Sequence, residues 1–136
     1  MIKIVIAAHG DLAQELLSSA ELIAGKQPNL YAVNRGANDS LAQMQERIDA
    51  LLKSISDDDG TLILTDMIGG TPCNASASMC RAFNTEVLAG VNLPMILSAI
   101  FASRTALSAA ELADKVLADG QKSIINVKRL LLSRMK

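Results

Sequence analysis

Short apolar runs alternate with amphipathic stretches along the whole chain. The apolar runs lie at 2–8, 29–34, 61–66 and 86–91, and their Ile, Val and Leu content is typical of strands covered on both faces. In the stretches between them, apolar residues recur every three or four positions, as on the buried face of a helix. Strands that alternate with helices predict an α/β fold, a three-layer sandwich with a mostly parallel sheet between two layers of helices.

Polar capping residues, prolines and glycines mark where the helices begin and end. Ser or Asp followed three residues later by Gln or Glu is typical of a capped helix start, and proline suits the first turn. The predicted helices are 12–24 between Asp11 and Gly25, one that follows the Ser40/Gln43 pair, one over 72–83 that begins with Pro72, one of about a dozen residues from Pro94, and one between the Ser108/Glu111 pair and Gly120.

Right-handed crossovers between successive parallel strands favour the strand order 2-1-3-4. The segment SIINV, 123–127, is a candidate fifth strand at one edge of this sheet. No repeat, low-complexity tract or linker interrupts the pattern, and 136 residues suffice for one ordinary domain. We therefore predict a single domain over residues 1–136.

Charge and hydropathy argue against several classes of function. The 13 Lys and Arg residues nearly balance the 14 Asp and Glu residues, which argues against nucleic acid as a partner. The longest apolar stretch after the first strand, around 93–102, falls short of the ~20 residues that cross a bilayer. We predict a cytoplasmic protein without membrane insertion. Four basic residues near the C terminus are interpreted as a solvated helix face or a fraying end, with an interaction tail as the alternative: Lys128, Arg129, Arg134 and Lys136.

The two cysteines indicate neither a disulfide nor a metal site. Cys73 and Cys80 are seven residues apart, which on one helix separates their Cα atoms by about 10 Å. With one histidine and two cysteines, the chain has too few thiol and imidazole ligands for a zinc site. We predict two buried free thiols and no metal.

Residues able to carry chemistry gather at one predicted edge of the sheet. Ligands of parallel sheets bind beyond the carboxyl ends of the strands, where the strand order reverses, which here lies between the first and third strands. The only histidine, His9, follows the first strand, and Asp66 ends the third. The candidate site consists of His9, Asp66, Gly10, Gly69, Gly70 and Thr71.

These residue types suit a histidine that carries a phosphoryl group. A carboxylate such as Asp66 fixes one ring nitrogen of His9 and leaves the other as a nucleophile. Glycines allow close approach of the backbone, and the N–H groups at a helix N-terminus bind phosphate. Thr71 adds a hydroxyl donor at the same place.

Three other interpretations of these residues stay open. In the first, the histidine, the carboxylate and the GGTP turn have only structural roles. In the second, Asp66 is itself the phosphoacceptor, as in the receiver domains of response regulators. That site needs an acidic pair for magnesium, whereas the first strand is followed only by His9, Gly10 and Asp11. In the third, the anion pocket binds a phosphometabolite without catalysis.

Three segments, taken together, give the chain a resemblance to a known family. They are IVIAAHG at the start, LILTDMIGGTPCNAS in the middle and VLAGVNLPMI later. Their order and spacing resemble the mannose-family enzyme IIA (EIIA) proteins of the bacterial phosphoenolpyruvate-dependent sugar phosphotransferase system (PTS). The resemblance covers essentially the whole chain.

The resemblance implies a phosphotransferase that works as a phosphocarrier. His9 matches the histidine that accepts a phosphoryl group on Nε2 from phospho-HPr, and Asp66 matches the carboxylate that binds Nδ1 of that histidine. Thr71 matches a Ser/Thr position near the phosphoryl group. The acceptor would be a histidine of a IIB component, expected here to be a separate polypeptide. No cofactor is implied.

The resemblance also bears on assembly and on partners. Family members are homodimers that exchange the edge strand, which here would be the segment around 123–127. A related branch phosphorylates dihydroxyacetone kinase subunits, but the HGD and GGTP segments resemble the sugar branch more closely. Met67 and Ile68 replace more polar or aromatic residues of some relatives on the partner-facing surface. Asn92 matches a family feature and is interpreted as a loop or helix-cap residue.

Overall fold

The computed structural model of the protein describes residues 1–135. Over these residues, four strands and six helices follow one another and confirm the predicted α/β alternation. In chain order they are β1 (Lys3–His9), α1 (Leu12–Ala24), β2 (Leu30–Arg35), α2 (Leu41–Ile55), β3 (Thr61–Thr65), α3 (Thr71–Ala77), β4 (Thr85–Ala89), α4 (Leu93–Ala102), α5 (Ala109–Lys122) and α6 (Val127–Arg134).

The four strands form one sheet in the order β2-β1-β3-β4, and every neighbouring pair is parallel. The register pairs His9 with Arg35 on β2, and Ala7 with Thr65 on β3. The predicted strand order 2-1-3-4 is therefore confirmed. Because β1 and β3 are parallel neighbours, the residues that follow them emerge at the same edge of the sheet.

Helices cover both faces of the sheet, and alternate side chains of β1 pack against different helices. Ile4 and Ile6 belong to a core that includes residues of α1, α4 and α5. Val5 and Ala7 belong to a second core, with residues of α2 and α3. Burial of each large aliphatic side chain stabilises the fold by about 1.5–3 kcal/mol relative to leaving it in water. The two cores fix β1, and with it the position of the site, from both sides.

The start of α1 is held differently from the prediction. Asp11, the expected cap, has φ −94° and ψ 7° instead of an extended backbone, and its side chain makes no capping hydrogen bond. Instead, Oδ1 of Asn34 on β2 accepts a hydrogen bond from the N–H of Gln14 at 3.1 Å. An N–H in the first turn of a helix needs an outside acceptor, and here the neighbouring strand supplies it.

The predicted caps of three other helices are confirmed. Ser40 and Gln43 form the reciprocal capping box at α2. Oδ1 of Asn92 accepts the N–H of Met95 at 2.9 Å and caps α4, so this residue has the helix-cap role expected for it. Ser108 accepts the N–H of Glu111 at 3.1 Å at the start of α5, but the Glu111 side chain does not return the bond, so only half of the predicted capping box forms.

Two helices have ends other than those predicted. α3 ends at Ala77, after which the chain continues in tighter turns: the N–H groups of Met79 and Cys80 donate to carbonyl oxygens three residues earlier. α5 continues past Gly120 to Lys122. Gly120 is buried against α4, where an added Cβ would lie 2.5 Å from Cγ of Met95, so this glycine permits close helix packing.

No fifth strand forms at 123–127 within the described chain. Residues 124–126 have no regular secondary structure, and Val127 begins α6. The apolar side chains of Ile124 and Ile125 are 83% and 53% exposed, so this segment is not packed into the sheet of its own chain. A strand requires a hydrogen-bonded neighbour, and this segment has none among residues 1–135. Its exchange between two chains stays a prediction.

The remaining expectations concern surface residues. α6 has no buried residue, as predicted for the basic segment, although Lys136 lies outside the described residues. Cys73 is buried as predicted, but Cys80 is exposed, and neither forms a disulfide. Within residues 1–135, every helix is too short or too polar to span a bilayer.

Candidate active site

His9 is the last residue of β1 and the first whose side chain leaves the buried core. The residues at 4–8 are fully buried, whereas the side chain of His9 is 40% exposed. The next residue, Gly10, has φ +59° and donates its N–H to the carbonyl oxygen of Arg35 at 2.8 Å. The backbone on both sides of the histidine is therefore anchored to the sheet, while its ring reaches the surface.

Asp66 binds His9 through both the backbone and the ring. Its Oδ2 atom accepts the His9 backbone N–H at 2.9 Å and lies 2.7 Å from Nδ1 of the imidazole. The other oxygen, Oδ1, accepts the N–H of Met67 at 2.9 Å. The structure thus brings together the histidine and the carboxylate that the sequence places after β1 and β3.

The carboxyl group of Asp66 is ionised at neutral pH. Burial raises its pKa, since only 12% of the side chain is exposed, but the hydrogen bonds from His9 and from the Met67 N–H outweigh burial. The pKa of Asp66 therefore lies below its ordinary value of 3.8. An ionised carboxylate can only accept, so a neutral imidazole carries its proton on Nδ1 and leaves the lone pair of Nε2 free.

The loop after Asp66 leads directly into α3. Gly69 has φ +83°, and Gly70 is the residue immediately before the first turn of the helix. Thr71 and Pro72 occupy the first two positions of α3. The N–H groups of Thr71 and Cys73 belong to the first turn, where the helix has no acceptor of its own. This end of α3 can therefore donate to an anion near the histidine.

Gly70 lies against the imidazole. A Cβ built on this residue would be 2.8 Å from Cε1 of His9, closer than real Cβ contacts. The N-terminus of α3 therefore adjoins the ring of His9, as predicted from the GGTP turn. Gly10 donates its N–H to Arg35, and nothing lies within 4 Å of an added Cβ, so its predicted part in phosphoryl binding, the room that it leaves, stays a prediction.

Sequence reasoning missed two features of this edge. Asn34 caps α1, which follows His9, and the carbonyl group of Arg35 holds Gly10. Both residues end β2, and their roles depend on the strand register, which has no signal in a local motif. As for metals, no group of three or more His, Cys, Asp or Glu side chains among residues 1–135 is arranged to hold an ion.

Comparison with known proteins identifies the family. A family model named EIIA-man and described as "PTS system fructose IIA component" matches residues 3–117, which include every residue of the site. The chain belongs to the mannose-family EIIA proteins. It is thus a sugar phosphotransferase system component of the transferase class, and the predicted resemblance is confirmed.

Similar proteins carry names from the same system. The chain is 35% identical over 124 residues to the fructose-specific EIIA component of Bacillus subtilis. The aligned region covers 90% of this chain and 84% of the relative. It is 32% identical to the mannose-specific EIIAB component of Escherichia coli K12, again over 90% of this chain. The chain spans only 38% of that longer relative.

Solved structures of EIIA proteins share the fold. EIIA from Streptococcus agalactiae matches with a TM-score of 0.85 and 34% identity, covering 95% of this chain and 99% of the other. The mannose/sorbose-specific IIA subunit from Enterococcus faecalis also has a TM-score of 0.85, with 31% identity and coverage of 92% and 93%. These neighbours support the α/β fold assigned to the family.

Proposed function

We propose that the chain is a cytoplasmic phosphocarrier that accepts a phosphoryl group on Nε2 of His9 from phospho-HPr and passes it to a histidine of a IIB component. The observation that carries this proposal is the 2.7 Å contact between Nδ1 of His9 and Oδ2 of Asp66 on a ring that is 40% exposed. This contact assigns the proton to one nitrogen and leaves the other available as a nucleophile.

In the proposed step, the lone pair of Nε2 attacks phosphorus in line with the bond that joins it to the donor histidine. The new bond forms between Nε2 and phosphorus, and the donor nitrogen leaves with the electron pair of the broken bond. The proton on Nδ1 stays in place, so the ring of His9 gains positive charge. The ionised Asp66 stabilises that charge, and no separate base is needed.

The N-terminus of α3, which adjoins the ring, supports the same step. Gly70 adjoins Cε1, the carbon atom between the two ring nitrogens. A phosphoryl group on Nε2 would meet the hydroxyl of Thr71 and the free N–H groups of the first turn. These donors offset charge on the phosphoryl oxygens without a metal ion or another cofactor.

Phosphorylation by purified components tests this function. We would incubate the chain with phosphoenolpyruvate, enzyme I and HPr, and measure intact mass before and after acid treatment. The expected result is one added phosphoryl group that is lost in acid. His9→Ala should stay unlabelled and folded, because the backbone N–H groups at His9 and Met67 still bind Asp66. Labelling of His9→Ala would contradict the assignment.

The second half of the proposed reaction requires an acceptor. A phosphorylated sample, freed of HPr, should lose its label to an added IIB protein. Transfer to a dihydroxyacetone kinase subunit instead would place the chain in the related branch. If phospho-HPr is present and the chain gains no mass, but a phosphorylated metabolite binds reversibly, the chain is a binding module.

We also propose that the protein is a homodimer in which segment 123–127 pairs with the sheet of the partner. Two features support this: β4 is an edge strand, and Ile124 and Ile125 are exposed within one chain. Light scattering should give twice the mass of one chain, and Ile124→Asp should reduce it to the mass of one chain. A monomeric wild-type protein would contradict the dimer.

A further inference from the structure

The two adjacent glycines before α3 are required for different physical reasons. Gly69 has φ +83°, a backbone conformation that other residues rarely adopt, yet an added Cβ would meet nothing within 4 Å. Gly70 has φ −77° and ψ 160°, an extended conformation open to any residue. Backbone conformation therefore explains the glycine at 69 but not the glycine at 70.

The space beside Gly70 is filled by the histidine. Its hypothetical Cβ lies 2.8 Å from Cε1 of His9 and 3.3 Å from Cγ of Met67. The first distance is shorter than real Cβ atoms show, so one of the two groups would have to move. The backbone of Gly70 is restrained, because its carbonyl oxygen accepts the N–H of Asn74 in α3 at 2.9 Å. The partly exposed imidazole, whose ring is held by the Nδ1 contact with Asp66, is therefore the group that would be displaced.

We propose that Gly70 is a positioning residue for His9, acting by the absence of a side chain. This inference rests on the proposed function for its effect on phosphoryl transfer. Because Cε1 is bonded to both ring nitrogens, a methyl group that displaces it also moves Nδ1 away from Asp66 and Nε2 away from its line of attack. Gly70 thus allows the short Nδ1 contact to form.

Gly70→Ala tests the proposal through the imidazole itself. The chain has a single histidine, so its ring nitrogens give unambiguous 15N signals. We expect Gly70→Ala to shift these signals away from the wild-type pattern and to lower the rate of phosphorylation by phospho-HPr by about 100-fold, as for a displacement of about 1 Å. Wild-type signals together with a wild-type rate would overturn the proposal.

Two controls separate this effect from general destabilisation and from a clash of the added methyl group with Met67. Gly25, unlike Gly70, has positive φ (+84°) and open space around it, and it follows the C-terminal end of α1, so an alanine there adds backbone strain without a new contact. Gly25→Ala should lower stability without changing the imidazole signals or the rate.

Combining Gly70→Ala with Met67→Ala removes the Met67 Cγ contact. Because His9 is the obstructing group, the double variant should stay slow relative to Met67→Ala, and full recovery would contradict the proposal.

A double-mutant cycle, measured by urea unfolding, tests the contact between Gly70 and His9 even if the chain is not a phosphocarrier. In the His9→Ala background the ring is absent, so adding Gly70→Ala should leave the urea midpoint unchanged or raise it. In the wild-type background, the same change should lower the midpoint or displace the ring signals. Identical midpoint shifts in the two backgrounds, with unchanged signals, would show that Gly70 does not act through His9. Failure of wild-type labelling would instead reject only the proposed function.

Discussion

One oxygen of Asp66 holds His9 at two points: Oδ2 accepts the His9 backbone N–H at 2.9 Å and lies 2.7 Å from ring Nδ1. The same atom therefore fixes both the end of β1 and the direction of the imidazole. Because Asp66 directly follows β3, which pairs with β1, the register of the sheet sets this geometry. Such positioning is a main contribution that a protein makes to phosphoryl transfer.

Replacing this carboxylate should slow phosphorylation without unfolding the protein. In Asp66→Asn, the amide can donate to Nδ1 and stabilise the tautomer that has its proton on Nε2, where no attack is possible. We expect the rate of phosphorylation by phospho-HPr to fall about 10²- to 10⁴-fold. Asp119→Asn is the matched control, since that carboxylate binds Ser98 on α4 and Lys115 on its own helix α5. Equal rates for the two variants would remove Asp66 from the mechanism.

The lowered pKa of Asp66 also predicts how stability depends on pH. Since the pKa is lower in the folded protein than in the unfolded chain, ionised Asp66 stabilises the fold above the ordinary value of 3.8. This contribution is lost as pH falls below that value and through the folded pKa. In urea unfolding, the stability difference between wild type and Asp66→Asn should be constant near neutrality and shrink in acid. A difference independent of pH would contradict this account.

The positions of most strands and helices could be predicted because they depend on local patterns. Buried strands such as 61–66 have continuous apolar runs, and the capping box of Ser40 and Gln43 marks a helix start in four consecutive residues. The segment 123–127 has an equally apolar pattern, but a strand also needs a neighbour. That neighbour is a property of the assembled sheet, so the pattern alone could not place this segment.

Part of the site was predictable for a related reason. His9 and Asp66 follow strands that are parallel neighbours, and the rule for the carboxyl edge of such sheets brings them together. The role of Asn34 could not be predicted, because it depends on how far β2 extends beside β1. The contact of Gly70 with the ring depends on the path of the loop after Asp66, which the sequence GGTP does not specify.

The unexpected cap of α1 gives a prediction with an internal control. Asn34 accepts the Gln14 N–H, whereas the side chain of Asp11 makes no capping bond. Asn34→Ala should therefore lower the free energy of unfolding by about 1 kcal/mol. Asp11→Ala should change it much less, as measured by urea unfolding at neutral pH. The reverse order would mean that Asp11 caps the helix in solution.

The loop beside the histidine predicts where the proposed phosphodonor, phospho-HPr, makes contact. Ile68 is 83% exposed and lies between Asp66 and Gly70, which both adjoin the His9 ring, so we expect a protein whose active centre reaches His9 to meet this side chain. A large apolar side chain that becomes buried at an interface contributes to affinity, not to the chemical step. Ile68→Ser should therefore raise KM for phospho-HPr about tenfold, which corresponds to about 1.4 kcal/mol, and leave kcat nearly unchanged.

Leu107 offers a matched control for that change. It is 90% exposed but lies after α4, at the opposite edge of the sheet from His9, because α4 runs back from the carboxyl end of β4. Leu107→Ser removes a similar apolar area and should leave both kinetic constants unchanged. If Ile68→Ser lowered kcat and shifted the imidazole signals, Ile68 would instead position His9. If neither constant changed, phospho-HPr would have to approach His9 from the side of α1 and β2.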